Sequence, residues 1–238
     1  MIFTKNKGQS FVFKSSWEGM ADSIQENWNK DYYITDFDCG GGMYRVLFTK
    51  GVGWTNQTYL TSKTFPAEKV QKKWDEGYII TNVVNDSAHW FVIMSKGTGL
   101  SGQKWFTKKS FNDFKESVDN AWKEGYIITK VAYGNGLYLG VMSKGLDWGQ
   151  HWWNWPHFPT DELIEEKKTV QKIITDLVKT NNMVFAVASS SAGYTKQRIH
   201  RNKDFEYLRK LLNNRWDEGY VITTVSYFQE EWILIFSK

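Results

Sequence analysis

Four tryptophans crowd the stretch "DWGQHWWNW": Trp148, Trp152, Trp153 and Trp155. Indole faces bind sugars, bases and alkylated ammonium groups, and Gln150 and His151 add hydrogen-bonding side chains to the same segment. Read as a strand, the segment turns Trp153 and Trp155 to one side and Trp152 to the other. One face then packs as core while the other can present indole to a ligand. The competing reading is that the tryptophans only fill core beside a helix that has lost its own Trp. A second candidate set is a series of amides, Gln9, Gln57, Gln103, Gln150 and Gln197, at steps of 48, 46, 47 and 47 residues. Such amides either satisfy backbone groups between structural units or form a ring that faces a ligand at an axial mouth.

Catalytic patterns are weak. Cys39, in "DFDCGGG", is the one cysteine, and a nucleophilic thiol needs an activating base that the sequence does not identify. His89, His151, His157 and His200 have no metal-ligand spacing. "GGGM" at positions 40–43 lacks the Lys-Ser/Thr of a phosphate-binding loop, and no G-x-S-x-G element occurs. The expectation is therefore no catalytic residue, no metal and no cofactor.

Composition bounds the partners. The 238 residues carry 30 basic and 26 acidic side chains, net +4, too even a balance to imply nucleic acid. A single cysteine excludes an intrachain disulfide. No apolar run approaches 18 residues and "MIFTKNKGQS" has no long apolar region, so neither a membrane span nor a signal peptide is expected. The chain reads as a cytoplasmic monomer.

The elements that must position these residues emerge from a repeat. Trp28 opens "WNKDYYIT", Trp74 "WDEGYIIT", Trp122 "WKEGYIIT" and Trp216 "WDEGYVIT", and a worn copy, "KTVQKIIT", spans 168–175. An aromatic follows each Gln by eight residues, and a Thr closes each phrase. Five units follow, approximately 1–48, 49–94, 95–142, 143–188 and 189–238. In the third, Phe111, Phe114, Val118 and Trp122 share a helix face, Ser110 caps the start and Gly125 ends the helix. Gly134-Asn135-Gly136 then marks a hairpin turn. Each unit reads as strand, helix, strand, strand.

A unit of this size cannot bury its own apolar face, so neighbours must stack. "MIFTK" at the start echoes "LIFSK" at the end, and the last unit keeps the full phrase. Both favour a ring in which the last strand meets the first unit. The fold expected is an α+β repeat protein, a closed five-bladed α/β propeller with helices outside, an architecture analogous to the pentein propellers.

The phrases "WDEGYIITNV" and "GLYLGVMSKG", with the Gly-rich turn leading to the Gln, resemble a repeat domain found C-terminal to plant casein-kinase-I-like kinases and beside bacterial caspase-like peptidases. The resemblance spans all five units, the fourth departing most. It implies an accessory recognition module and transfers no catalytic residue. The function expected is a non-catalytic binding module for a protein or a small-molecule or glycan ligand. A lectin-like propeller is the first alternative, and a pentein-like enzyme using Cys39 is the second.

Overall fold

Each helix starts and stops where its caps stand. In α1 (Trp17–Trp28) the Ser16 hydroxyl accepts from the Gly19 amide, and in α3 (Phe111–Lys123) Ser110 accepts from Asp113. In α4 (Phe205–Asp217) Asp204 accepts from Glu206 and Tyr207, whereas α2 (Ala67–Asp75) follows Pro66 with no side-chain cap. These bonds satisfy amides that a helix leaves free at its N-terminus. Gly77, Gly125 and Gly219 end three helices at φ of 87°, 81° and 92°, and Asp31 ends the first at 61°. Those are left-handed values that glycine adopts without strain and Asp tolerates. The computed structural model describes residues 2–5, 8–155, 173–180, 183–190 and 192–238, without the side chains of residues 2–5, 151–155 and 205.

The described chain is mostly β-sheet with four helices. Its strands form five small antiparallel sheets. The second sheet contains β5 (Asn56–Ser62), β6 (Ile79–Asn85) and β7 (Trp90–Lys96) in the order β5-β7-β6. The same order recurs in the third with β8 (Ser101–Lys108), β9 (Ile127–Gly134) and β10 (Leu137–Lys144). It recurs in the fourth with β11 (Gln150–Trp155), β12 (Ile173–Lys179) and β13 (Val184–Ser189). The fifth repeats it with β14 (Gln197–Asn202), β15 (Val221–Phe228) and β16 (Glu231–Ser237). In the first sheet β2 (Gln9–Lys14), β3 (Tyr32–Gly40) and β4 (Met43–Lys50) keep this order, and β1 (Ile2–Lys5) is added outside β2. The "MIFTK" strand is thus not a counterpart of β16. It pairs antiparallel with β2 at the far edge of its own sheet, Ile2 opposite Val12. The Asn135-Gly136 turn has φ of 52° and 73° at its two residues, the geometry of a tight type I′ hairpin.

One irregularity recurs. One edge strand of each sheet, β3, β6, β9, β12 or β15, skips a residue in its ladder, at Thr35, Thr81, Thr129, Thr175 and Thr223. Each is a β-bulge, in which one extra residue re-aims those beyond it. Ile34 and Asp36, two apart in sequence, pair with consecutive residues Phe48 and Leu47 and so face opposite sides of the sheet. Each bulged Thr hydroxyl is hydrogen-bonded to a hydroxyl on the middle strand, Thr49, Ser95, Ser143, Ser189 or Ser237, at 2.8–3.0 Å.

The core lies between sheets. Val12 of the first, with Met20 and Ile24 of α1, packs with Phe91 and Ile93 of the second. The second meets Leu139 and Val141 of the third, and the third meets Phe185 and Val187 of the fourth. The fourth meets Ile233 and Ile235 of the fifth, and Leu208, Leu212 and Trp216 of the fifth pack with Phe11 and Leu47 of the first. The bulged strands touch in the same sequence: β3 lies against β6 and β15, β9 against β6 and β12, and β12 against β15.

Candidate functional site

The glutamines are joints. Gln57 reaches from β5 into the first sheet, where its Nε2 donates to the Ile34 carbonyl (3.0 Å) and its Oε1 accepts from the Ile34 amide (2.7 Å). That Oε1 also accepts from the Trp28 indole (2.9 Å), and Nε2 also donates to Ser95 (2.9 Å). Gln103 holds Ile80 and Trp74 in the same way, and Gln9 holds Ile222 and Trp216. Gln150 and Gln197 hold Ile128 and Ile174. Each side-chain amide continues a β-ladder by one residue across a boundary between sheets. With both amide protons and the oxygen engaged, these five do not form the ligand-facing ring considered from the sequence. Trp122 breaks the pattern, for its buried indole nitrogen has no hydrogen-bond partner among the described residues.

One residue beyond each bulged Thr stands a position that is always polar but varies in kind: Asp36, Asn82, Lys130, Asp176 and Thr224. Lys130 Nζ donates to Asp36 Oδ1 (3.0 Å) and Asp176 Oδ1 (2.8 Å), and Asn82 Nδ2 donates to the same Asp36 oxygen (2.8 Å). All five belong to the touching strands, so these bonds tie the second, third and fourth sheets to one another and to the first. The carboxylates also accept from backbone amides of a neighbouring strand. Asp36 Oδ2 takes the Val225 amide and Asp176 Oδ2 the Val131 amide, both at 2.6 Å. Burial would lower the Lys130 pKa, but the charges of Asp176 and Asp36 outweigh it and hold the ammonium ionised. Burial raises the Asp176 pKa, against the pull of Lys130.

Above this cluster opens a cavity of about 760 Å³. Its wall includes Asp38, Val84, Ala132, Val178 and Ser226, one from each bulged strand. Lys130 contributes to the lining, and Tyr44, Asp86, Tyr133 and Tyr227 stand around it. Asp38 accepts from the Cys39 amide (2.8 Å) and the Tyr227 amide (2.6 Å). Burial pushes its pKa up to about 7 and the charge of Asp36 adds to that, while the two amides pull the other way. Opposite Asp38 on β4 lies Arg45, with its guanidinium 3.2 Å over the Trp232 ring. Burial lowers the Arg45 pKa to about 9. Tyr44 donates to Asp86 (2.9 Å), and burial with that bond moves its pKa to about 12.

Cys39 lines this cavity, but burial and the charges of Asp38 and Asp86 push its pKa well above the usual thiol value. It is held as a thiol, the reverse of what a nucleophilic cysteine requires. Trp148 is half-buried ahead of β11, the outer strand of the fourth sheet, and the side chains of His151, Trp152, Trp153 and Trp155 lie outside the described residues. Also outside are His157, Phe158 and the first five residues of "KTVQKIIT". Of the sequence candidates among the described residues, Cys39 lines the cavity, while Gln9, Gln57, Gln103, Gln150, Gln197 and Trp148 do not. The cluster beneath the cavity, of which Lys130 alone reaches the lining, could have been found from one signal. Within phrases otherwise nearly identical, the position after Thr reads Asp, Asn, Lys, Asp and Thr, polar where a buried strand should be apolar.

No described helix is long and apolar enough to cross a membrane. A family model described as "Domain of unknown function (DUF7477)" matches residues 6–134 and again residues 80–238. No curated protein matches the chain.

Proposed function

The chain belongs to the DUF7477 family, and we propose that it is a non-catalytic binding module of five tandem units, closed into an α/β propeller that takes its ligand at the axis. Closure is supported by the succession of core clusters and touching strands, in which the fifth sheet meets the first as each sheet meets the next. It is supported again by Gln9, which grips Ile222 as Gln57 grips Ile34. The overlapping family matches fit a chain whose units resemble one another.

The observation that carries the binding role is the cavity itself. About 760 Å³ is a typical size for a small-molecule site, and strands from all five sheets converge on it. Its wall mixes valine and alanine with charged and hydrogen-bonding side chains, and such convergent polar groups fix a ligand's orientation. A recognition role also agrees with the resemblance to modules that accompany kinases and peptidases. The test is a small-molecule panel read by thermal shift on the wild type, Ser226→Phe and Val178→Phe. Both substitutions put bulk into the cavity. Compounds that raise the melting temperature of the wild type should lose their effect on at least one folded variant. Undiminished shifts on both would place the binding surface elsewhere.

A further inference from the structure

The cavity takes up one end of the sheets, where hairpin turns such as Gly41-Gly42 and Asn135-Gly136 line it. At the other end the middle strands β4, β7 and β10 finish at Lys50, Lys96 and Lys144, and Lys238 directly follows β16. From each of the first three lysines a loop crosses to the outer strand of the next sheet. Neighbouring connections are tied to one another. The Thr55 amide donates to the Lys96 carbonyl (3.0 Å), the Ser190 amide donates to the Gly149 carbonyl (2.8 Å), and Lys196 and Lys238 exchange backbone bonds at 2.9 Å. The backbone of Gly99 and Ser101 passes so close to Gly145 that a Cβ there would sit 3.1 Å from each. The connections therefore run side by side along this end.

Each connection presents one large apolar side chain, two or three residues ahead of its joint glutamine: Trp54, Leu100, Trp148 and Tyr194. Tyr194 is 39% exposed and the other three are half-buried. Cations stand in pairs at the same end. Lys73 and Lys96 lie over the Tyr78 ring, Lys104 and Lys144 over Tyr126, and Arg198 and Lys238 over Tyr220, all 4.5–5.9 Å from the ring centroid. Four carboxylates at this end are engaged: Asp31 with Lys50, Glu76 with Lys73, Glu124 with Lys104 and Glu218 with Arg215. Asp75, Asp147 and Asp217 are balanced in number by Lys30, Lys72 and Lys123. Lys96, Lys144, Lys196, Arg198 and Lys238 have no carboxylate within ion-pairing distance among the described residues. This end therefore combines half-exposed apolar loop residues with uncompensated positive charge.

We propose that this end of the protein docks on a lipid bilayer with anionic headgroups. Trp and Tyr settle at the headgroup level of a bilayer, lysines near its surface are drawn to anionic lipid, and apolar contact together with such attraction is what interfacial binding uses. Repetition favours a bilayer over a protein or a nucleic acid. A bilayer offers the same groups everywhere, and this end repeats one apolar side chain and one cation pair from unit to unit. The net charge of +4 for the whole chain leaves the attraction local to this end. Docking is independent of the cavity's role, and it turns the hairpin turns that line the cavity away from the bilayer.

Vesicle sedimentation of the full chain tests the proposal, with vesicles of phosphatidylcholine alone and of phosphatidylcholine with about 30% phosphatidylserine. The expected result is binding to the anionic vesicles about tenfold tighter or more than to the neutral ones, weakened by added salt. Brominated lipid in the anionic vesicles should quench part of the tryptophan emission, and Trp54→Phe with Trp148→Phe should remove most of that quenching. Lys96→Glu with Lys144→Glu should weaken binding about tenfold or more. Lys63→Glu with Lys109→Glu makes the same change in net charge at exposed residues just past β5 and β8, at the cavity end, and should leave binding nearly unchanged. Circular dichroism checks folding. If the Lys96 and Lys144 pair does not fold, the quenching and a Leu100→Ser variant, which should also bind more weakly, decide in its place. Failure to prefer the anionic vesicles, or equal loss in the two charge-reversed pairs, would overturn the proposal. So would retention on immobilised heparin or polyglutamate without vesicle binding, which would make the partner a soluble polyanion.

Discussion

The boundaries between sheets and the cluster beneath the cavity obey opposite rules. At the boundaries one solution is reused: a Gln amide pairs with both backbone groups of an Ile, and in three places a Trp indole joins it. In the cluster the equivalent position is filled by four residue types across five sheets, and the residues complete one another. Asp36 and Asp176 share Lys130, and Asn82 leans on Asp36. Uniform joints can be broken one at a time with a local penalty, because each is a self-contained set of bonds. A mixed cluster couples its members, and it leaves some atoms unpaired. Repetition builds the scaffold, and departure from repetition is where a binding site can be placed.

The largest effect should come from a joint. Gln57→Leu strands the Ile34 amide and carbonyl, the Trp28 indole and the Ser95 hydroxyl, all now served by one side chain. Each buried unpaired group costs about 1–3 kcal/mol, so urea denaturation should show a loss of about 3 kcal/mol or more. Equal stability of the variant and the wild type would mean the joints are ornamental.

Next is the pH response of the cavity. Asp38 is faced by Asp36, Cys39, Arg45, Lys130 and Tyr227, and its folded pKa of about 7 lies above the ordinary aspartate value of 3.8. The folded protein therefore holds more protons than the unfolded chain between these values. Stability from this group is fully present below about pH 4 and is lost as pH rises through about 7. Asp176 shifts in the same direction. Denaturation midpoints should fall from pH 5 to pH 8 by an amount worth up to a few kcal/mol. Asp38→Asn should flatten the part of that slope that ends near neutrality. A slope unchanged in the variant would assign it to another group.

A smaller contrast separates two tryptophans in equivalent positions. Trp28→Phe removes an indole that donates to Gln57, while Trp122→Phe removes one with no partner among the described residues. Lost packing should be similar in the two, so Trp28→Phe should cost about 1 kcal/mol more. Smaller still, Thr224→Val replaces an unpaired buried hydroxyl with an isosteric methyl. It should leave stability unchanged or raise it by up to about 1 kcal/mol.

Most of the scaffold was legible in the sequence because its determinants are local and repeated. Ser110 before α3, Gly125 after it and the Asn135-Gly136 turn each act through their own backbone, and their spacing announced five similar units. The stripe of Leu208, Leu212 and Trp216 is buried as its helical spacing implies. The joints were half legible. Five glutamines in register were visible, but their target, an Ile more than twenty residues away in the chain, is set by how sheets pack. The site was not legible. The density of Trp148–Trp155 drew attention to the outer strand of the fourth sheet, whereas the cavity is made from the opposite edges of the sheets. A bulge at each Thr, which no periodic pattern reveals, turns Asp36 and its counterparts away from the face their spacing suggests. The role given to "MIFTK" failed for a similar reason, since sequence likeness to β16 did not determine which edge β1 would join.

The most direct measurement is a crystal structure of the protein with a panel compound that raises its melting temperature. The predicted result is that compound in the cavity, in contact with side chains from several bulged strands, such as Asp38, Val178 and Ser226. An empty cavity, with the compound held instead beside Trp148 and β11, would contradict the axial site and return the function to the tryptophan-rich strand.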